Sequence, residues 1–334
     1  MQVIEATNVN DAYVKGRILL ENEGELRDSR NGPVLETPFP VTTVFRNPWQ
    51  RVLLCRNRDA NPFFHFFEGM WMLCGHNDVH FPAMFNKRFL EYSDDGVTQA
   101  GAYGFRWRHH FGMDQLAVIE RELQELPDSR RCVLQMWDPD TDLTGIRTSV
   151  DVPCNTVVYF KVDPTNTTLR MTVSCRSNDI IWGLYGANVV HFSFLHEYLA
   201  ARLNLLMGDY VHISDSFHGY VDVLNKHPYG SMDVKYPVYQ SDVANLYEGV
   251  RRTPNFLPLL REAIYQQRDE DWLPVVRDPF IENVVMPMRR AWNAYKDFKL
   301  GMDTCDELED AIQEIAASDW REAVSAWTNK RITN

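Results

Sequence analysis

Paired cysteines, long apolar runs and an excess of positive charge are all missing from this chain of 334 residues. Its cysteines (Cys55, Cys74, Cys132, Cys154, Cys175 and Cys305) are scattered, and no CxxC occurs. That points to a reducing compartment and excludes a disulfide framework or a cysteine zinc site. No uninterrupted apolar run approaches the ~18–20 residues that cross a bilayer. The opening MQVIEATNVNDAYVKGR lacks the charged-then-apolar layout of a secretory leader. A cytoplasmic setting with no membrane partner is therefore expected. Lys and Arg number 34 against 46 Asp and Glu, a formal net charge of −12. A free-standing electrostatic nucleic-acid binder leans basic, so nucleic acid is not an expected partner. Low-complexity tracts and internal repeats are also lacking. What remains is core material: 45% of residues are hydrophobic and 12% aromatic, ample for one large or two smaller packed domains.

Residues 1–35 are polar and mixed, with a turn-like DSRNGP at 28–33. Residues 62–74, PFFHFFEGMWMLC, are apolar on nearly every side, which predicts a buried helix with one carboxylate, Glu68, inside it. Leu116, Ile119, Leu123 and Leu126 recur at spacings of three and four, one face of an amphipathic helix that Pro127 closes. DSRRCVLQMW (128–137) reads as a turn leading into a strand. NTVVYFKV (155–162) and TLRMTVSC (168–175) flank the turn-rich DPTNT, a hairpin pattern. VVHFSFLHEYLAARLNLL (189–206) predicts a long helix, ended by Gly208 and Asp209, after which YVHIS starts a strand. Helices mixed with antiparallel strands favour an α+β fold. The character changes near residue 236. We expect a catalytic domain over 1–235 and a helical C-terminal extension over 236–334, packed on the same domain.

Several residues could carry chemistry. Cys154 follows Pro153 at the mouth of a strand. If 157–160 pair with 170–173, Cys154 and Arg176 fall at the same sheet edge. A thiol beside a guanidinium suits an activated nucleophile; a buried structural thiol is the plainer alternative. Arg30, Arg130, Arg131 and Arg176 sit in turn-like contexts. Several guanidinium forks plus a hydroxyl would suit a phosphate monoester, while separate surface ion pairs would explain each arginine singly. A carboxylate such as Glu68 in an apolar helix is costly unless paired, and is either a functional acid or a structural partner. His218 and Tyr220, two apart on a presumed strand, share one face and could bind a hydroxyl together or simply pack. His76 and His80 have helical spacing but lack a third ligand, so no metal is expected.

Taken together and in order, these motifs resemble the thymidylate synthase superfamily, which includes the pyrimidine nucleotide hydroxymethylases. The resemblance runs from about Arg30 to Tyr220. Glu68 with WMLCG is similar to the family's glutamate helix, E-L-L-W-F-L-x-G. Tyr103-Gly104 with Trp107-Arg108 resembles YGxxWR, and Asp128-Ser129-Arg130-Arg131 matches DSRR. Val152-Pro153-Cys154 resembles the PPC nucleophile turn, and Arg176-Ser177-Asn178-Asp179 matches R-S-x-D. Asn188 stands where the family places its base-reading Asn or Asp, in a loop one residue longer. His218 and Tyr220 fit H-x-Y, and Arg30-Asn31-Gly32 resembles the phosphate-binding loop near the N-terminus.

The resemblance implies a mixed sheet packed by helices. It also implies one-carbon transfer from 5,10-methylenetetrahydrofolate to C5 of a pyrimidine nucleoside monophosphate. Cys154 would add to C6, and Glu68, with Tyr103 nearby, would assist proton transfers. Asp179, Phe89 and Gly183 would meet the folate. Arg30, Arg176 and Ser177 would hold the phosphate, joined by Arg130 and Arg131 from the second subunit of a homodimer. Asn188 would read the base, and His218 and Tyr220 the sugar.

Departures from the synthase pattern favour hydroxymethyl transfer. The synthase PPCH is replaced by Val-Pro-Cys154-Asn155, and CNTV is closer to the C-T-N-T-V of phage deoxycytidylate hydroxymethylase. Phe89 stands where synthases carry a tryptophan that shields the intermediate. TNKRITN has no counterpart of the synthase tail, and water admitted to the site would trap the methylene. An Asn amide complements uracil in one orientation and cytosine in the other. The family association of Asn with uracil favours dUMP hydroxymethylation. Thymidylate synthesis, hydroxymethylation of dCMP or CMP, and an idle nucleotide-binding relative remain as alternatives.

Overall fold

Asn61 and Pro62 start the helix on which the molecule is built. The Asn61 side chain accepts from the Phe64 amide at 3.1 Å, and Pro62 occupies the first turn, where its missing N–H costs nothing. The helix runs Pro62–Leu73, and every residue in it except Phe64 is buried. Each large apolar side chain hidden this way contributes about 1.5–3 kcal/mol. The computed structural model describes residues 1–227, 245–266 and 277–332. The expected domain boundary at 235/236 lies outside the described residues.

In chain order the elements are β1 (Gln2–Ala6), α1 (Val9–Glu23), β2 (Glu25–Arg27), β3 (Val34–Glu36), β4 (Val41–Phe45), α2 (Pro62–Leu73), α3 (His80–Ala83) and α4 (Tyr103–Phe105). Next come α5 (Gln115–Glu125), β5 (Val133–Gln135), β6 (Asn155–Val162), β7 (Thr168–Cys175), β8 (Asn178–Asp179), α6 (Val189–Leu203), β9 (Leu206–Ser214) and β10 (Phe217–Tyr220). The chain continues with α7 (Val221–Lys226), α8 (Leu246–Arg252), α9 (Phe256–Tyr265), α10 (Met286–Lys299), α11 (Cys305–Gln313) and α12 (Ser318–Ile332). A six-stranded mixed sheet has the order β1-β4-β9-β7-β6-β5, and a smaller sheet the order β2-β3-β10-β8. The fold is α+β. Helices α2 and α6 pack on each other, and α9 and α12 pack on α2.

Several expectations need correction. Residues 1–35, read as polar and mixed, hold β1, α1, β2 and the start of β3. In α1 the buried stripe mixes Val9, Ala12, Tyr13 and Leu20 with Asn10 and Arg17, which hides the helical period. Leu126 is not on the buried face of α5. That helix ends at Glu125, and Leu126 turns outward to 51% exposure. Helix α6 stops at Leu203, where Asn204 takes the left-handed conformation at φ 57°. Asn tolerates that cap, and Gly208 and Asp209 lie inside β9 instead.

The β6–β7 hairpin forms one residue out of the expected register. Val157 faces Ser174 and Phe160 faces Met171. A bulge between Asn155 and Val157 removes the offset, so Asn155 faces Cys175 and the Arg176 amide bonds the Cys154 carbonyl at 2.9 Å.

One close backbone approach fixes the start of the helix layer. A Cβ at Gly104 would lie 1.9 Å from the Met72 carbonyl oxygen, so only glycine lets α4 cross the end of α2. The C-terminal helices then close over α2. Phe63 lies 5.1 Å from the Trp292 ring and 5.7 Å from Trp327, and Phe66 lies 5.1 Å from Trp320. Beside them a buried Arg51–Glu197 ion pair sits near Asp319, with Arg51 4.2 Å over the Phe194 ring.

Burial pushes the Asp319 carboxyl up to about 6, against the pull of the Trp320 amide and Arg51. A carboxyl raised in the folded state binds its proton more tightly there than in the unfolded chain. Stability is therefore full at low pH and falls as pH rises from about 4 to 6. Asp319→Asn keeps the acceptor for Trp320 and removes the charge. It should raise stability above pH 7 by roughly 1–3 kcal/mol and leave it unchanged near pH 4. Denaturant melts at the two pH values check this, and a destabilised variant at high pH contradicts it.

Candidate active site

Cys154 sits at the end of the bulged β6, partly exposed, with Arg176 beside it at the end of β7. Arg176 donates from Nε to the Pro153 carbonyl and from Nη2 to the Val152 carbonyl, both at 2.9 Å. The same Nη2 reaches Cys154 Sγ at 3.9 Å. Burial pushes the thiol up; the Arg176 and Arg30 charges pull it down without overcoming burial, and Asp151 adds to the rise. The expected activation by Arg176 is thus present but outweighed. Asp151 is itself pushed up to about 6 by burial. The Tyr103 hydroxyl accepts from the Asn155 amide at 3.3 Å, and burial followed by the Cys154 field holds its pKa well above the ordinary value.

Of the five groups expected at the phosphate, Arg176 and Arg30 lie near Cys154, and Ser177 follows Arg176 in the chain. Arg30 lies in an exposed turn close enough to act on the thiol. The neighbouring Asn31 reaches the Tyr220 hydroxyl at 3.5 Å. Arg130 and Arg131 stand exposed before β5, the edge strand of the large sheet. The described residues of the chain bring no acceptor to either side chain.

Asn188 precedes the first turn of α6 and is 7% exposed. Its Nδ2 donates to Asn178 Oδ1 at 3.2 Å. Asn178 in turn contacts His212 Nε2 at 3.0 Å and Ser214 Oγ at 2.8 Å, and His212 Nδ1 meets the Tyr210 hydroxyl at 2.6 Å. Gly183, expected at the folate, lies against this chain. A Cβ there would stand 3.1 Å from Asn178 Oδ1 and 3.3 Å from Asn188 Nδ2.

Asp179 caps the following turn: its Oδ1 accepts from the Ile181 amide at 2.8 Å and the Trp182 amide at 2.5 Å. Its Oδ2 is buried with no partner. Burial raises this carboxyl, opposed by the amides and by His218 and Arg58. His218 pairs with Asp179 across β10 and β8, and its ring meets Tyr220 edge-on at 5.9 Å, so the two share a face.

Glu68 lies 2.9 Å from His191 Nε2, both almost fully buried, yet neither atom has an aligned hydrogen bond. Both amide atoms of Asn155, fully buried, also lack partners. Unmatched buried polar atoms are expensive and mark places that complete their bonding with a ligand or water. Phe89 does not stand open to a ligand. It is 4% exposed, packed between Phe64 and Trp71 at 5.9 Å each. Among the described residues no group of three or more His, Cys, Asp or Glu is arranged to hold a metal ion. No helix among them is long and apolar enough to cross a membrane.

Sequence reasoning missed His191, Asn178, Tyr210, His212 and Ser214. The alternation in YVHIS was a signal, but it gives no hint that its polar set turns inward.

The chain is similar in sequence to known proteins. The family model for thymidylate synthase matches residues 22–278. The deoxyuridylate hydroxymethyltransferase of Pseudomonas phage M6 is 42% identical over 340 aligned positions, covering 99% of this chain and 95% of that protein. The protein of the same name from Bacillus phage SP01 is 35% identical over 210 positions, 60% of this chain and 54% of that one. A putative thymidylate synthase of Methanothermobacter thermautotrophicus is 28% identical over 223 positions, covering 65% of this chain and 92% of its own length.

The Cys154 environment makes a signed prediction. Arg176→Ala should shift the pH midpoint for alkylation of Cys154 by iodoacetamide upward, and Asp151→Asn should shift it downward. Peptide mapping of the alkylated cysteine reads both. Shifts of the same sign would contradict the assignment.

Proposed function

The chain belongs to the thymidylate synthase family, and from that membership we propose that it hydroxymethylates C5 of dUMP. The observation that carries the reading is the cluster around Cys154: a thiol fixed by Arg176, with Arg30 in its field. The near full-length similarity to a phage deoxyuridylate hydroxymethyltransferase supports the product and the base.

Cys154 adds through Sγ to C6 of the pyrimidine, and C5 becomes the carbon nucleophile. Arg30, Arg176 and Ser177 bind the nucleotide phosphate. His218 and Tyr220 bind the sugar hydroxyl, and Asn188 reads the base. 5,10-Methylenetetrahydrofolate supplies the one-carbon unit at the oxidation level of formaldehyde. The site fits it: the buried, unpartnered Oδ2 of Asp179 suits the N–H groups of a pterin, and Trp182 beside it is 48% exposed. Glu68, with His191 against it, handles protons at the base and at the water that completes the hydroxymethyl group. The C5 hydrogen leaves as a proton, and tetrahydrofolate departs with the electron pair of its bond to the methylene carbon. Water adds to that methylene, and expulsion of the Cys154 thiolate as the C5–C6 double bond re-forms frees the product.

Arg130 and Arg131 reach the phosphate of a second subunit in a homodimer. Their exposure supports this, as does the neighbouring pair Val133 and Tyr159, which face each other across β5 and β6 and are 43% and 42% exposed. The helices after the unassigned boundary near 235 serve as an extension packed on the catalytic domain. The phage origin of the relatives supports a setting in the cytoplasm of an infected cell.

Loss of the C5 hydrogen tests the covalent route without regard to product. With tritium at C5 of dUMP and methylenetetrahydrofolate present, the protein should release label to water. Cys154→Ala should abolish release, and Glu68→Gln should slow it by roughly 10²–10⁴-fold. Release that survives loss of the thiol would sink the proposal.

A further inference from the structure

The pleat of β9 builds a polar ladder inside an apolar core. Tyr210, His212 and Ser214 alternate with Val211 and Ile213, so all three project from one face. Each is 0% exposed, whereas Val211 and Ile213 are only partly buried. Three buried polar side chains in a row are costly unless matched, and the ladder is matched through Asn178, 1% exposed, to Asn188.

The count of hydrogens at Asn178 gives this chain a direction. One end of its amide has two contacts, His212 Nε2 and Ser214 Oγ; the other has one, Asn188. The NH₂ end carries two hydrogens fixed in the amide plane and matches the two-contact end. Reversal would strand a buried N–H, whereas the Ser214 and Tyr210 hydroxyls rotate to suit either arrangement. With NH₂ toward His212, Nε2 must accept. Burial holds the imidazole neutral by pushing its pKa down to about 3, so that lone pair is free. The ring hydrogen then sits on Nδ1 and goes to Tyr210. Asn178 Oδ1 takes one hydrogen of Asn188 Nδ2. Asn188 is left with an acceptor, Oδ1, and one further N–H. Those complement N3–H and O4 of uracil. Cytosine, with an acceptor at N3 and a donor at C4, mismatches both.

We propose that Asn178, His212 and Tyr210 are positioning residues that lock the Asn188 amide in the orientation selecting uracil over cytosine. The inference rests on dUMP being the substrate. It adds that discrimination is set by residues that do not touch the base.

The test is the ratio of dUMP to dCMP, measured in each variant both as kcat/KM for product formation and as Kd by calorimetry. A general loss of fold lowers both nucleotides together and leaves the ratio unmoved. His212→Phe removes the acceptor for Asn178. Tyr210→Phe strands the Nδ1 hydrogen and drives the imidazole to the opposite tautomer. Each should lower the dUMP preference by about tenfold or more, the effect of one buried unmatched group. Asn178→Asp has only acceptors to offer Asn188, and should keep the wild-type preference. Unchanged ratios in both His212→Phe and Tyr210→Phe, or a lost preference in Asn178→Asp, overturn the inference while dUMP remains the substrate. A wild-type preference for dCMP overturns the substrate reading and the assigned direction together.

Discussion

Arg176 makes two charge-assisted bonds to the carbonyls of Val152 and Pro153, and those bonds fasten the Cys154 turn to the end of β7. The rest of the site is arranged around that fastening. The bulge at Thr156 allows it, because it brings Cys154 opposite Arg176 after a register that would otherwise miss by one. The thiol then sits where burial and two arginines oppose each other, and burial prevails. A thiol kept largely protonated until a reactive partner arrives is protected from oxidation and stray alkylation.

The second constraint is the cost of polar groups in the core. Around the site the molecule buries Glu68, His191, Asn155, Asn178, Asn188, His212 and Ser214. Some are fully matched within the protein, as along the β9 ladder. Others, including Asn155 and the Glu68–His191 contact, keep unmatched atoms. The matched set is rigid and suits recognition. The unmatched set suits water and protons, which hydroxymethyl transfer needs at its last step. Helices α9, α10 and α12 reinforce this division by covering α2, within which Glu68 is buried with its carboxylate against His191.

Much of this was legible in the residues. A hairpin between 155–162 and 168–175 is written in alternation and a turn, and it puts Cys154 beside Arg176 even with the register one residue off, because the bulge restores the edge. The apolar surround of Glu68 marked its helix and its burial. The N-terminal helix was hidden because Arg17 and Asn10 take buried places that a periodicity search assigns to apolar residues. The end of α6 was misplaced because Asn204 does the work expected of glycine. The β9 ladder was illegible for a deeper reason. Alternation in YVHIS would turn Val211 and Ile213 inward, and only the tertiary partners Asn178 and Asn188 make the opposite choice favourable. Phe89 was placed by counting along the chain, which fixes order but not whether a ring faces a ligand or the core.

The central claim concerns what is attached to C5. The measurement that tests it most directly is the mass spectrum of the product formed from dUMP and methylenetetrahydrofolate, with the folate product identified in the same mixture. Hydroxymethyl-dUMP accompanied by tetrahydrofolate is the predicted result. A methylated nucleotide accompanied by dihydrofolate would contradict it, and would mean that hydride reaches the methylene before water does.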